Sequence, residues 1–229
     1  MLDFSQFSVL TFDCYGTLID WESGLIPVLR GLLTDYAQQA EDCRLLETFA
    51  GLEAQAERGD YKPYRQVLEE VGTKFAAAGG LELRARDQSL VESLPHWPPF
   101  GDTQESLQRL KSRYKLGVIS NVDDDLFAGT APKLGVEFDY FISAQQVKSY
   151  KPSPANFIAA IERIGEPPEK ILHVAQSLYH DIAPASSLGL NTVWVNRRGN
   201  EKGSGATPPA SARPTLEVPS LKALADLAT

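Results

Sequence analysis

The chain has 229 residues, with 30 acidic side chains against 22 basic ones and a formal net charge of −8. Holding nucleic acid needs a concentrated positive face, so this balance argues against nucleic acid as a partner. With 43% hydrophobic and 23% charged residues the composition is that of an ordinary globular chain, which excludes disorder, collagen and coiled coil.

Apolar runs such as Val9-Leu10 or Gly117-Val118-Ile119 break within a few positions. A membrane span needs about 20 mostly apolar residues, so none is expected. No basic residue precedes Arg30, the charged start of a secretory signal is missing, and a cytoplasmic location is expected. The two cysteines, Cys14 and Cys43, form no C-x-x-C pair, which points to free thiols rather than a disulfide or a thiolate zinc site.

Residues 8–13, Ser-Val-Leu-Thr-Phe-Asp, form an apolar run that ends at an acid and meets Tyr15-Gly16-Thr17, the pattern of a buried strand entering a turn. From about residue 19 to 94 the period becomes helical. Val28, Leu29, Leu32, Leu33 and Tyr36 share one face, and Tyr64, Val67, Leu68, Val71 and Phe75 share another before Gly79-Gly80. The Pro-rich stretch 95–101 cannot continue a helix and marks a boundary.

Beyond it, Asp102 and Glu105 form a capping-box-like start for a helix carrying Leu107 and Leu110, followed by a strand over 116–119 that ends in Ser120-Asn121. Residues 138–142 read as a strand. Ser153-Pro154 starts a helix with Phe157, Ile158, Ile161 and Ile164 on its apolar face and Gly165 as its stop. Buried strands are predicted over 171–175 and 191–195, with a helix over about 181–188 between them. Residues 199–214 read as a surface loop, and a last short helix starts near Leu221.

Repeated strand–helix units imply a Rossmann-like α/β fold, a parallel sheet with helices on both faces that binds ligands beyond the carboxyl ends of its strands. The expected division is a core of residues 1–18 and 95–229 and a helical cap, 19–94, inserted above that edge. Four strand ends then present polar groups to one crevice: Asp13 with Thr17, Ser120 with Asn121, Lys151, and Asp181. An ionised aspartate can attack carbon or phosphorus, and Asp13 has the placement, with the turn residues and Lys151 to hold its charge. Cys14 has no basic neighbour in sequence and reads as packing. His173 reads as a satisfied polar residue, His180 borders the site, and Trp97 and Phe100 either wall the pocket or pack at the hinge of the cap.

The segment Asp13-Cys14-Tyr15-Gly16-Thr17-Leu18, with Ser120-Asn121, Lys151-Pro152 and the stretch from His173 to Leu190, resembles the haloacid dehalogenase superfamily over nearly the whole chain. Tyr15 and the long cap look most like its 2-haloacid dehalogenase branch. The resemblance implies hydrolytic dehalogenation of a short 2-haloacid to a 2-hydroxy acid through an ester on Asp13, with Thr17, Ser120, Asn121, Lys151 and Asp181 in the catalytic machinery. Tyr15, Trp97, Gln176, Ser177 and His180 are expected around the substrate, a small anion. A cap arginine, Arg44 or else Arg58 or Arg65, is expected to hold its carboxylate.

Phosphate-transferring members of the superfamily usually carry a second Asp where this chain has Tyr15, and two acids in the fourth motif where it has Gln176 and Asp181. The resemblance therefore implies no metal or other cofactor, with magnesium needed only under the alternative of a phosphatase of the same superfamily. The chain also departs from the dehalogenase pattern at Gln176, Leu178 and Phe157, which supports a third reading, a binding protein that kept the fold without turnover. A second copy of the chain, in a homodimer, is the partner the resemblance implies.

Overall fold

Residues Val9 to Phe12 are fully buried, and a strand hidden on both faces belongs inside a parallel sheet. The computed structural model, which describes residues 2–33, 39–80, 87–199 and 203–229, places them there. In chain order the elements are β1 (Val9–Phe12), α1 (Trp21–Gly31), α2 (Asp42–Ala56), α3 (Tyr64–Ala78), α4 (Ser89–Ser93), α5 (Thr103–Lys111), β2 (Lys115–Ser120), α6 (Asp124–Thr130), β3 (Tyr140–Ser143), α7 (Ala144–Val147), α8 (Ala155–Ile164), β4 (Ile171–Ala175), α9 (Ala183–Ser187), β5 (Asn191–Val195), β6 (Leu216–Val218) and α10 (Leu221–Ala228).

The strands form one parallel sheet in the order β3-β2-β1-β4-β5-β6, so β1 lies between β2 and β4. Side chains alternate across it. Leu10 and Phe12 face a layer that includes α5, α6 and α10, and Val9 faces a second layer with α8 and α9. The fold is the Rossmann-like α/β architecture expected.

The strands β4 and β5 fall where the sequence places them, and β1 and β2 lie within a residue of their predicted ends. Other elements shift. The third strand starts at Tyr140 rather than 138. The helix predicted from Asp181 begins earlier, as a π-helical turn over Leu178–Ile182 that runs into α9. Ile158 is 43% exposed, so the buried face of α8 is Phe157, Ala160 and Ile164 instead. Asp102 starts α5 but makes no capping bond to it; its carboxylate is taken by Arg197 Nη1, at 2.8 and 3.0 Å, and by the Lys222 N–H. Tyr36 lies outside the described residues.

Helices α1 to α4 stand between β1 and β2 in the chain. The chain leaves the sheet and returns to it along one seam: Asp20 N donates to Pro98 O, Phe100 N donates to Leu18 O, and Ile19 bridges Pro99. The Pro-rich boundary is thus half of a two-stranded connection. Packing is continuous across it, since Leu18, Trp21, Phe49, Val67 and Trp97 share one apolar cluster with Phe12 and Leu107. Asp123 adds a polar lock from the core side, accepting from the N–H groups of Tyr64 and Arg65 at 2.9 Å each. Those are unpaired donors at the start of α3, where a carboxylate is favoured by the helix dipole.

Trp97 is seated where α1 lacks a side chain. A Cβ at Gly24 would stand 2.1 Å from its Cδ1, whereas a Cβ at Gly31 would meet nothing within 4 Å. An alanine ordinarily favours a helix over glycine by about 1 kcal/mol. Gly24→Ala should instead destabilise by about 1–3 kcal/mol through overpacking against a buried ring. Gly31→Ala should be neutral or slightly stabilising. Denaturant titration of both variants checks this, and equal behaviour would place Trp97 elsewhere.

Candidate active site

In-register pairing sets Phe12 beside both Val118 and Val174, so the ends of β1, β2 and β4 open on one edge. Asp13 follows β1 there and is held in line by its own N–H, which donates to Val174 O. The turn after it folds back sharply, with Leu18 and Ile19 N–H groups both on Cys14 O. Gly16 sits at φ +94°, and a Cβ there would come within 3.0 Å of Trp21 Nε1, which explains glycine at this position.

Asp13 is buried and bonded on both oxygens. Oδ1 accepts from Lys151 Nζ at 2.9 Å and Oδ2 from the Thr17 hydroxyl at 2.7 Å. The Gln176 N–H donates to Thr17 Oγ1 at 2.9 Å, so the hydroxyl's own hydrogen is free to point at Asp13. The Lys151 ammonium uses all three of its N–H donors: Asp13 Oδ1, Asp181 Oδ1 at 2.7 Å, and Ile119 O at 2.9 Å. No donor of Lys151 is left for a ligand. Asn121 fixes this lysine from the side, accepting from its backbone N–H and donating to its carbonyl.

His173 lies fully buried in β4, so both ring nitrogens need partners. Nε2 lies 3.1 Å from Asp181 Oδ1 and Nδ1 lies 3.0 Å from Thr11 Oγ1. A carboxylate only accepts, which puts the proton on Nε2. Among the described residues Asp181 Oδ2 has no hydrogen-bond partner although it is buried, and Ser120 Oγ shares that state.

Burial pushes the Asp13 carboxyl above the ordinary carboxylate value, against the pull of the Lys151 charge. Asp181 feels burial too, but Lys151 and His173 together hold it below that value. Lys151 goes the other way: burial works against its charge, yet the two carboxylates raise it above an ordinary lysine. Burial drops His180 to about 4, which leaves it neutral. Its Nδ1 faces Ser177 Oγ at 3.3 Å. The arrangement can hold a carboxylate ionised beside an ammonium with a free acceptor next to both, the layout of a carboxylate nucleophile with a water site.

Residues 7–189 match the model of the haloacid dehalogenase-like hydrolase family. The chain is 32% identical over 199 residues to the (S)-2-haloacid dehalogenase 4A of Burkholderia cepacia, covering 82% of this chain and 83% of that one. It belongs to the haloacid dehalogenase-like hydrolase family. An (S)-2-haloacid dehalogenase of Pseudomonas putida is 29% identical over 219 residues, with 93% and 92% of the two chains covered. The crystal structure of an L-2-haloacid dehalogenase superposes with a TM-score of 0.79 at 24% identity, over 97% of this chain and all of that one, which shows the shared fold.

Within this family frame the cavity above Asp13 holds most of the predicted site. Tyr15, Asn121, Lys151, Ser177, His180 and Asp181 line it together with Asp13. Three of the predicted groups lie outside its lining. Trp97 is buried behind Tyr15, edge-on at 5.8 Å, with its Nε1 on Ser93 Oγ, so it is a hinge contact and not a wall. The Gln176 side chain lines two neighbouring cavities rather than this one. Among the described residues no cap arginine lines it: Arg44 and Arg58 are exposed, and Arg65 pairs with Asp125 at 2.6 Å on the outside.

The cap lends acids instead. Trp21, Glu53, Glu57 and Tyr64 come down from α1 to α3, and Thr207 closes one side from the loop before β6. Glu53 Oε1 accepts from the Tyr64 hydroxyl at 2.6 Å, and Glu57 Oε1 lies 3.4 Å from Asn121 Nδ2. Glu53 was legible. It interrupts the buried stripe Leu46, Phe49, Ala56 of α2, and an acid on an apolar helix face needs a reason. Thr207 carries no such signal. Arg197, also unforeseen, donates to Thr17 O, grips Asp102 and lies 4.1 Å over the Phe100 ring, tying the turn after Asp13 to the returning chain.

The donors do not suit magnesium, which the magnesium-using members of the superfamily would imply. A hard, octahedral cation wants carboxylate oxygens and water. Both oxygens of Asp13 and one of Asp181 are already engaged, and an ammonium stands between the two carboxylates. Among the described residues no group of three His, Cys, Asp or Glu side chains is arranged to hold a metal ion.

Burial raises Glu53 to about 7, against the pull of its Tyr64 bond. Folded Glu53 thus keeps a proton that the unfolded chain has released above its ordinary 4.5. Its contribution to stability is fully present below pH 4.5 and is lost as pH rises through 7, by about 3 kcal/mol in all. Glu53→Gln keeps the acceptor for Tyr64 and removes the titration. Between pH 4.5 and 7.5 the variant should gain on the natural chain by that amount in denaturant unfolding. Parallel stability curves would mean that Glu53 is charged throughout.

Proposed function

We propose that the chain hydrolyses the carbon–halogen bond of a small organic halide through an ester on Asp13, without a divalent metal. For a 2-haloacid, the substrate in the names of its relatives, the product is the 2-hydroxy acid. The observation that carries the reading is the pairing of Asp13 with Lys151 and Thr17 in a cavity where the second position after Asp13 is Tyr15. The Tyr15 hydroxyl is bound to Thr130 Oγ1 at 3.0 Å and burial raises its pKa, so it supplies no proton near neutral pH. A halide leaves as an anion and needs none.

In the first step a carboxylate oxygen of Asp13 bonds to the carbon and the halide departs with the electron pair of the broken bond. In the second, water adds to the Asp13 carbonyl carbon. The ester bond breaks, the product leaves with the original Asp13 oxygen and one proton, and the other proton passes to solvent. Asp181 Oδ2, buried and unpartnered beside Lys151, is the acceptor that orients this water. Lys151 carries the positive charge that stabilises the developing carboxylate, the role a metal takes when phosphoryl oxygens gather charge.

Asp13→Asn is nearly isosteric and should keep the fold while lowering halide release from chloroacetate or 2-chloropropionate by about 10³-fold or more. Chelator should leave release by the natural chain unchanged, and magnesium should not raise it. Metal-dependent phosphate release from a phosphate ester, with no halide release, would replace this reading by the phosphatase alternative.

A further inference from the structure

The cavity contains four carboxyl side chains, Asp13, Asp181, Glu53 and Glu57, and one lysine. That lysine has spent its three donors on the first two acids and a carbonyl. His180 adds no charge, because burial holds it neutral. Among the described residues no arginine lines the cavity, so nothing on its walls compensates a further negative charge. Placing a carboxylate there would set an unpaired anion beside Asp13 and Asp181, which already share the single charge of Lys151.

The cap side of the cavity also presents carboxyl oxygens. Glu57 offers oxygens whose described contact is the long 3.4 Å approach of Asn121. Glu53 is held toward the cavity by Tyr64. A ligand that satisfies these atoms brings hydrogens to them.

We propose that the cap glutamates select a substrate whose head group donates hydrogen bonds and carries no negative charge, an amide or an ammonium, in place of the carboxylate of a haloacid. The selection rests on the Asp13 ester chemistry proposed above and concerns only the end of the substrate that does not react. An amide matches a protonated glutamate, giving its N–H to one oxygen and accepting at its carbonyl. An ammonium matches an ionised one. In either case Glu53 and Glu57 are specificity residues that leave the attack on carbon unchanged.

Chloroacetamide and chloroacetate have nearly the same size and the same activating carbonyl, so they differ mainly in charge and donors. Halide release is measured with both and with 2-chloroethylammonium, using the natural chain, Glu57→Gln, Glu53→Gln and Asp13→Asn. For the natural chain kcat/KM should favour chloroacetamide or 2-chloroethylammonium over chloroacetate by about 10-fold or more, the range set by unpaired buried groups. The faster of the two tells a neutral glutamate from a charged one. Each glutamine variant should narrow that gap, because its amide can donate to a carboxylate; a role in folding alone would lower all three substrates together.

Chloroacetate as the fastest substrate, or a gap unchanged in both glutamine variants, overturns the selection. If Asp13→Asn still loses turnover in that case, the ester chemistry stands without it. If Asp13→Asn keeps turnover, the ester chemistry itself falls. Halide release from none of the three substrates overturns both.

Discussion

One ammonium between two buried carboxylates organises this molecule. Lys151 lies 2.9 Å from Asp13 and 2.7 Å from Asp181, and all three side chains are nearly removed from solvent. Taking any of these charges out of water costs several kcal/mol, and removing one partner of a buried pair typically costs about 3–5 kcal/mol because the other is left uncompensated. The group therefore holds together only if each member arrives at its place. Asp13 arrives at the end of the central strand, Ile119 offers a carbonyl one strand away, Asn121 grips the Lys151 backbone, and the π-helical turn delivers Asp181. His173 supports Asp181 from within the sheet and is itself held by Thr11, so the chain of bonds reaches back into β1.

The cap answers to that group. It is packed into the same apolar cluster as the sheet and locked by Asp123 to the start of α3. What it adds is acidic: Glu53, tied to Tyr64, and Glu57, near Asn121. A cation above Asp13 would suit a haloacid, and two carboxyls suit a donor. Fold-level kinship does not determine this side of the cavity, which is set by Glu53 of α2 and by Glu57 just after it.

How far the sequence could be read depended on what each residue answers to. β4 and β5 are short buried runs bounded by turn residues, and local pattern places them to the residue. β6 has three residues, Leu-Glu-Val, at the sheet edge, too short for alternation to show. Asp13 was legible because it directly follows β1, whereas Lys151 lies beyond α7 and Asp181 within the turn after β4, and the parallel sheet brings both to the same edge. Arg44, Arg58 and Arg65 lie outside the cavity because an arginine on an amphipathic helix is most often a solvated face, and the face of α2 that meets the cavity is the one interrupted by Glu53. Asp102 shows the same limit: the capping pattern is present, but Arg197, 95 residues away, turns Nη1 toward both oxygens and takes the carboxylate.

The account stands or falls on Asp13 becoming an ester. A single turnover in water enriched in heavy oxygen, with the protein in excess over the organic halide, followed by mass analysis of the peptide that contains Asp13, tests this most directly. The account predicts one heavy oxygen in the Asp13 carboxylate and ordinary oxygen in the first product. Heavy oxygen in the product with none in the protein would mean that water attacks carbon directly, and the Lys151-held carboxylate would then be a base and not a nucleophile.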